Sequence, residues 1–112
     1  MTYNLNHVHL KSLDPGKTAN WWVDNFNFEI VADSTRDTGD RFIRCRAENG
    51  VPVSISGPLS GQTLPENDAG VKLGLEHLGF EVDDIDGEIE RLAGLGAPLL
   101  EGPNQLPNGT RI

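Results

Sequence analysis

Cysteine is almost absent from this chain. The single Cys45 has no partner for an internal disulfide, so no covalent staple is expected and a reducing compartment fits. Basic residues are scarce too: 9 Lys and Arg stand against 17 Asp and Glu, for a net charge of -8. Phosphate backbones repel such a surface and no basic cluster offsets it, so nucleic acid is not an expected partner. No apolar run approaches the roughly 18 residues of a membrane span, and no membrane partner is expected. The opening MTYNLN has neither the basic nor the apolar region of a signal peptide, which makes a cytoplasmic location the expectation.

What is present reads as an ordinary globular chain of 112 residues, 37% hydrophobic and 23% charged. That length suits a single domain, 1–112, built from two small halves. Leu5, Val8 and Leu10 among polar residues predict a strand over 4–11. Asp14 and Pro15 in LDPG suit the N-cap and first position of a helix. Ala19, Trp22, Val23 and Phe26 then fall on one helical face. FEIVADS (28–34), RFIRCRA (41–47) and VPVSIS (51–56) predict three further strands, with a polar turn at RDTGD and a hairpin turn at ENG. A first module thus spans 1–57, followed by a linker over 58–72 that holds Gly, Pro, Ser, Asn and Asp. In 73–112 the pattern restarts: LEHLGFEV (75–82) predicts a strand, Asp84 caps a helix carrying Ile85, Ile89 and Leu92, and APLL (97–100) predicts another strand.

Offset by 70 residues, the second half overlays the first: His7 on His77, Leu10 on Phe80, Asp14 on Asp84, Trp22 on Leu92 and Ile30 on Leu100. Cap, core and imidazole positions coincide, and a duplicated β-α-β-β-β unit explains this economically. Strand alternation puts His7 and His9 on one face, although His9 has only Gly79 as its repeat counterpart. Phe42, Arg44 and Arg46 share one face of their strand, while Ile43, Cys45 and Ala47 share the other. Ser54 and Ser56 have the inward parity, and Glu81 lies on the predicted face of His77. The arginines would clamp an anionic group, or simply be solvated at a sheet edge. His9 would serve as a general base, or line the cleft as a polar residue. Glu81 would be a second base, an acidic group near a metal, or a salt-bridge partner. Trp22 and Cys45 are expected in the core.

The strand NHVHL, the helix containing WWVDNFNFEIV, and the run EHLGFEVDDIDGEIERLAGLGAPLL together resemble the vicinal oxygen chelate superfamily. That group includes glyoxalase I, methylmalonyl-CoA epimerase, extradiol dioxygenases, and the fosfomycin- and bleomycin-resistance proteins. The resemblance covers essentially the whole chain. It implies an α+β fold in which two βαβββ modules form a half-open, mixed-sheet barrel around a divalent metal (Fe, Mn, Ni, Co or Zn). Carried over position by position, His7 and His77 become metal ligands, and Ser54 stands where relatives often have Glu or Gln. A ligand Glu in a final strand has no counterpart after Glu101, so the last strands of module two are expected to be missing from this chain. The implied function is a metal-dependent enzyme, of lyase, isomerase or dioxygenase type, that chelates two neighbouring oxygens of a small-molecule substrate. His9 and Glu81 would be its catalytic groups, and Arg44, Arg46, Ser54 and Ser56 its substrate contacts. The alternative is a metal-free protein that sequesters a ligand, as bleomycin-resistance proteins do. A homodimer is expected in either case.

Overall fold

The computed structural model describes all residues, Met1–Ile112. They form two compact units, Met1–Asp68 and Ala69–Ile112. No helix is long and apolar enough to cross a membrane.

The first unit contains β1 (Val8–Lys11), α1 (Pro15–Phe26), β2 (Glu29–Thr35), β3 (Arg41–Arg46) and β4 (Pro52–Ser56), a complete β-α-β-β-β succession. The strands make one mixed sheet in the order β1-β4-β3-β2. Only the β1–β4 pair is parallel; β3 runs antiparallel to both β4 and β2. Such an α+β arrangement, with a sheet that does not close, is what the sequence predicts for the first module.

Local chemistry explains α1. The Asp14 carboxylate accepts a hydrogen bond from the Lys17 amide at 3.1 Å, and Pro15 follows, where a missing N–H costs nothing. Asn27 ends the helix in the left-handed region, at φ 57°, and its amide donates to the Trp22 carbonyl. Asparagine tolerates that conformation better than most residues. The predicted stripe faces the sheet: Ala19 is fully buried, with Trp22, Val23 and Phe26 packed beside it. Phe28, Ile43, Cys45, Val53 and Ile55 complete the core, and the Trp22 and Phe28 rings stack at 5.2 Å.

Cys45 therefore behaves as a small apolar residue, and burial pushes its thiol pKa up. Its reaction with a small disulfide reagent is expected to be slower by two orders of magnitude or more than that of the urea-unfolded chain, because attack requires an exposed thiolate. Prompt stoichiometric labelling of native protein would show that this face of the sheet is open.

The second unit departs from the expectation. It contains α2 (Ile85–Gly94), capped as predicted by Asp84, whose carboxylate accepts from the Gly87 amide at 3.0 Å. The strands predicted at 75–82 and 97–100 do not form, and the sole β-pairing in 69–112 is an isolated bridge between Gln105 and Arg111. Alternation marks a segment fit to be a strand, but a strand exists only when a neighbour takes its backbone hydrogen bonds. Leu75, Leu78, Phe80 and Val82 are exposed.

A smaller difference affects β1, which begins at Val8 rather than near Asn4. Its ladder with β4 starts at Val8↔Val53, and the preceding β4 residue, Pro52, has no N–H to donate. His7 thus lies just outside the sheet.

Candidate functional site

The sheet of the first unit has two chemically distinct faces. Ile43, Cys45, Val53 and Ile55 point toward α1. Their sequence neighbours point the opposite way, because side chains alternate along each strand and directly paired residues share a face. Two cross-strand rows result. One runs His9–Ser54–Arg44–Ala32, and the next runs Lys11–Ser56–Phe42–Ser34. Arg46 continues the pattern beside Pro52 and Glu29.

This second face is polar yet partly shielded. The Ser56 hydroxyl is fully buried and lies 2.7 Å from His9 Nε2. The His9 ring also packs on Phe42 at 5.2 Å between centroids. Beyond Phe42 the Arg36 guanidinium carbon stands 4.6 Å from the ring centroid. Arg36 is held there by Asp40, whose Oδ2 accepts from Nε at 2.9 Å and Nη2 at 2.5 Å. The Thr38 hydroxyl donates to the other carboxylate oxygen. Lys11 Nζ donates to the Gly57 carbonyl at 2.9 Å.

These neighbours set the protonation of His9. Partial burial lowers its pKa, and Lys11, Arg36 and His7 lower it further by charge repulsion, against a smaller opposing pull from Asp40. A neutral imidazole is thereby favoured, with one nitrogen engaged by Ser56 and Nδ1 left for another partner.

The structure gathers His9, Arg44, Arg46, Ser54 and Ser56 on one face. Ser54 is nearly buried, whereas Arg44 and Arg46 are exposed and take part in no ion pair. His7 is exposed ahead of β1, its Nδ1 2.9 Å from Asn6 Oδ1, beside an open depression of about 330 Å³ bordered by Asn49, Val51 and Pro52. His77 and Glu81 belong to the second unit, both exposed and outside any helix or strand. His77 Nδ1 bonds the neighbouring Glu76 carboxylate. The shared strand face expected for His77 and Glu81 does not exist, because no strand forms there.

No group of three or more His, Cys, Asp or Glu side chains is placed to hold a metal ion. Imidazole donors suit divalent transition metals; His7 belongs to the first unit and His77 to the second.

Sequence reasoning missed three contributors. Lys11 shares the parity of His9 and could have been found from it. Arg36 and Asp40 lie in RDTGD, where only a turn was legible; their pairing across four residues is a property of the folded hairpin.

Comparison with known proteins places these features in a family. Residues 6–112 match the model of the Glyoxalase/Bleomycin resistance protein/Dioxygenase superfamily. Among solved structures, a glyoxylase/bleomycin resistance protein/dioxygenase domain from Frankia sp. EAN1pec superposes with a TM-score of 0.71 at 22% identity, covering 96% of this chain and 84% of that one. The fosfomycin resistance protein FosX from Listeria monocytogenes, complexed with Mn(II) and sulfate, gives a TM-score of 0.63 at 24% identity, covering 86% and 74%. The protein SMU.1112c gives 0.65 at 18% identity, covering 99% and 88%. No curated protein matches the chain.

Proposed function

The chain belongs to the glyoxalase/bleomycin resistance protein/dioxygenase superfamily, and on that footing we propose that it is a metal-dependent enzyme acting on a small oxygenated substrate. The observation that carries the reading is the polar sheet face, where a neutral-leaning imidazole, buried hydroxyls and unpaired guanidiniums are presented together. His7 and His77 are the proposed imidazole donors to a divalent ion, which when bound would polarise substrate oxygens. Support comes from their equivalent places in the repeat and from FosX, which has been crystallised with Mn(II).

The remaining roles belong to the chain's own residues. Arg44 and Arg46 hold an anionic group of the substrate, and Ser54 adds a hydroxyl. The Ser56 hydroxyl fixes the ring plane of His9. In the tautomer with the proton on Nε2, that N–H donates to Ser56 Oγ and the Nδ1 lone pair accepts a proton from the substrate. Glu81 is the second candidate base.

Metal analysis tests the donor assignment. Purified protein is expected to carry one divalent ion per chain, and His7→Ala and His77→Ala are each expected to weaken retention by at least about tenfold, since even outer-shell changes cost that much. Unchanged metal content in His77→Ala would remove that residue from the site.

A second reading rests on Ser54, a neutral hydroxyl and a poor metal ligand on the sheet face: a metal-free protein that sequesters its ligand. Wild-type protein without near-stoichiometric metal after expression in metal-supplemented medium would decide for it.

A further inference from the structure

We infer that the open sheet face of the first unit carries a metal-independent oxyanion site, built on Arg44 and Ser54 and flanked by Arg46, which takes the carboxylate or phosphoryl group of a small organic acid. The inference deepens the proposed function, which gives Arg44, Arg46 and Ser54 to an anionic group of the substrate, by naming the class of that group and making its binding independent of metal.

Charge distribution is the first argument. The chain is acidic overall, at -8, with 9 Lys and Arg in all. Four of these, Lys11, Arg36, Arg44 and Arg46, nevertheless collect on this one face. Carboxylates are nearly excluded from it. Asp40 is buried and fully engaged by Arg36 and Thr38, which leaves Glu29, the ladder partner of Arg46 at the β2 edge. A local positive field in an acidic protein concentrates small anions while repelling polyanions.

Commitment of the cations is the second. Lys11 is tied to the Gly57 carbonyl and Arg36 to Asp40. Arg44 has no such tie, and its neighbours in the row are Ser54 on one side and the small Ala32 on the other. Directly paired residues lie about 5 Å apart, so the Ser54 hydroxyl is within reach of an anion seated on the Arg44 fork. Arg46 is two residues along the same strand, about 7 Å away, near enough for its long side chain to reach the same group. A planar fork, a hydroxyl and a second cation form a donor set for an oxyanion.

The test is a solution NMR titration of the EDTA-treated 112-residue protein at low ionic strength, with sodium acetate and inorganic phosphate as separate probes. At least one probe should shift the Ser54 and Arg44 signals in a saturable way; which of them does so identifies the carboxylate or phosphoryl class. Arg44→Gln should weaken that binding by about tenfold or more, the usual cost of losing a charge-assisted bond. Arg44→Lys should retain part of it, and Lys17→Gln, on the α1 side, should change nothing. An unchanged amide spectrum elsewhere establishes that Arg44→Gln is folded; if it is not, Arg44→Lys carries the comparison. Saturation by neither probe, or equal binding by wild type and the Arg44 variants, overturns the site. Because metal is absent throughout, these outcomes are independent of whether His7 and His77 hold an ion.

Discussion

Ile55→Ala should destabilise the first unit by about 2–5 kcal/mol, the range for deleting a buried branched aliphatic in a core that cannot fully collapse. Ile55 is fully buried, sits in the central strand β4, and is paired with Leu10 in β1 and Ile43 in β3. Its neighbours are fixed by two ladders and by α1 above, so little relaxation can fill the void. The core has few members: Ala19, Phe28, Ile43, Cys45, Val53 and Ile55. In a domain of that size each kcal/mol moves the melting temperature by about 4–8 °C, so a fall of at least about 10 °C is expected in a thermal melt followed by circular dichroism. Val31→Ala provides the contrast. Val31 sits at a register shift in β2, is 44% exposed, and should cost less than about 1 kcal/mol. Equal losses for the two variants would mean that the apolar layer beneath α1 is not the core.

That core was legible in the sequence because its signals are local. The spacing of Ala19, Trp22, Val23 and Phe26 reports a helix face directly, and alternation through RFIRC and VSIS assigns Ile43, Cys45, Val53 and Ile55 to one side of the sheet. The same alternation put Arg44, Ser54 and His9 on the other side before any pairing was known. The second unit was not legible in this way. LEHLGFEV alternates as well as VPVSIS does, yet only the latter is laddered as a strand, to β1 and β3. Pairing is non-local and leaves no trace in a short window. His7 shows the same limit on the scale of one residue, since a proline in a distant strand decides where β1 begins. Asp40 shows it for electrostatics. Nothing in RDTGD announces that its last residue will be dehydrated, because that depends on how β2 and β3 turn back on each other. In the folded hairpin the Arg36 amide donates to the Asp40 carbonyl at 2.9 Å, and the Gly39 amide to the Arg36 carbonyl at 2.9 Å with Gly39 at φ 86°.

Asp40→Asn should remove a pH-dependent share of stability that wild type loses in acid. The Asp40 side chain has no solvent exposure, and hydrogen bonds from Arg36 and then Thr38 hold its pKa down at about 2, against an ordinary value of 3.8. A carboxyl whose folded pKa is depressed binds protons more readily when unfolded, so stability must fall as pH falls. Its contribution is complete above about pH 4 and disappears as the pH approaches about 2. Wild type should therefore exceed Asp40→Asn in urea-unfolding free energy at pH 7, and the gap should shrink steadily below pH 4. Asp33, Asp86 and Glu88 also have lowered pKa values from paired arginines, but those pairs are exposed and are present in both proteins. The difference between the two curves isolates Asp40. A gap of constant size from pH 7 to pH 2 would show that the substitution acts through shape alone. The same carboxylate reaches the polar face through Arg36, which it pins against Phe42, the ring on which His9 packs. Asp40→Asn should consequently disturb His9 as well as stability, with histidine ring signals shifting at pH 7 where the chain is still folded; unmoved signals would confine Asp40 to holding the hairpin.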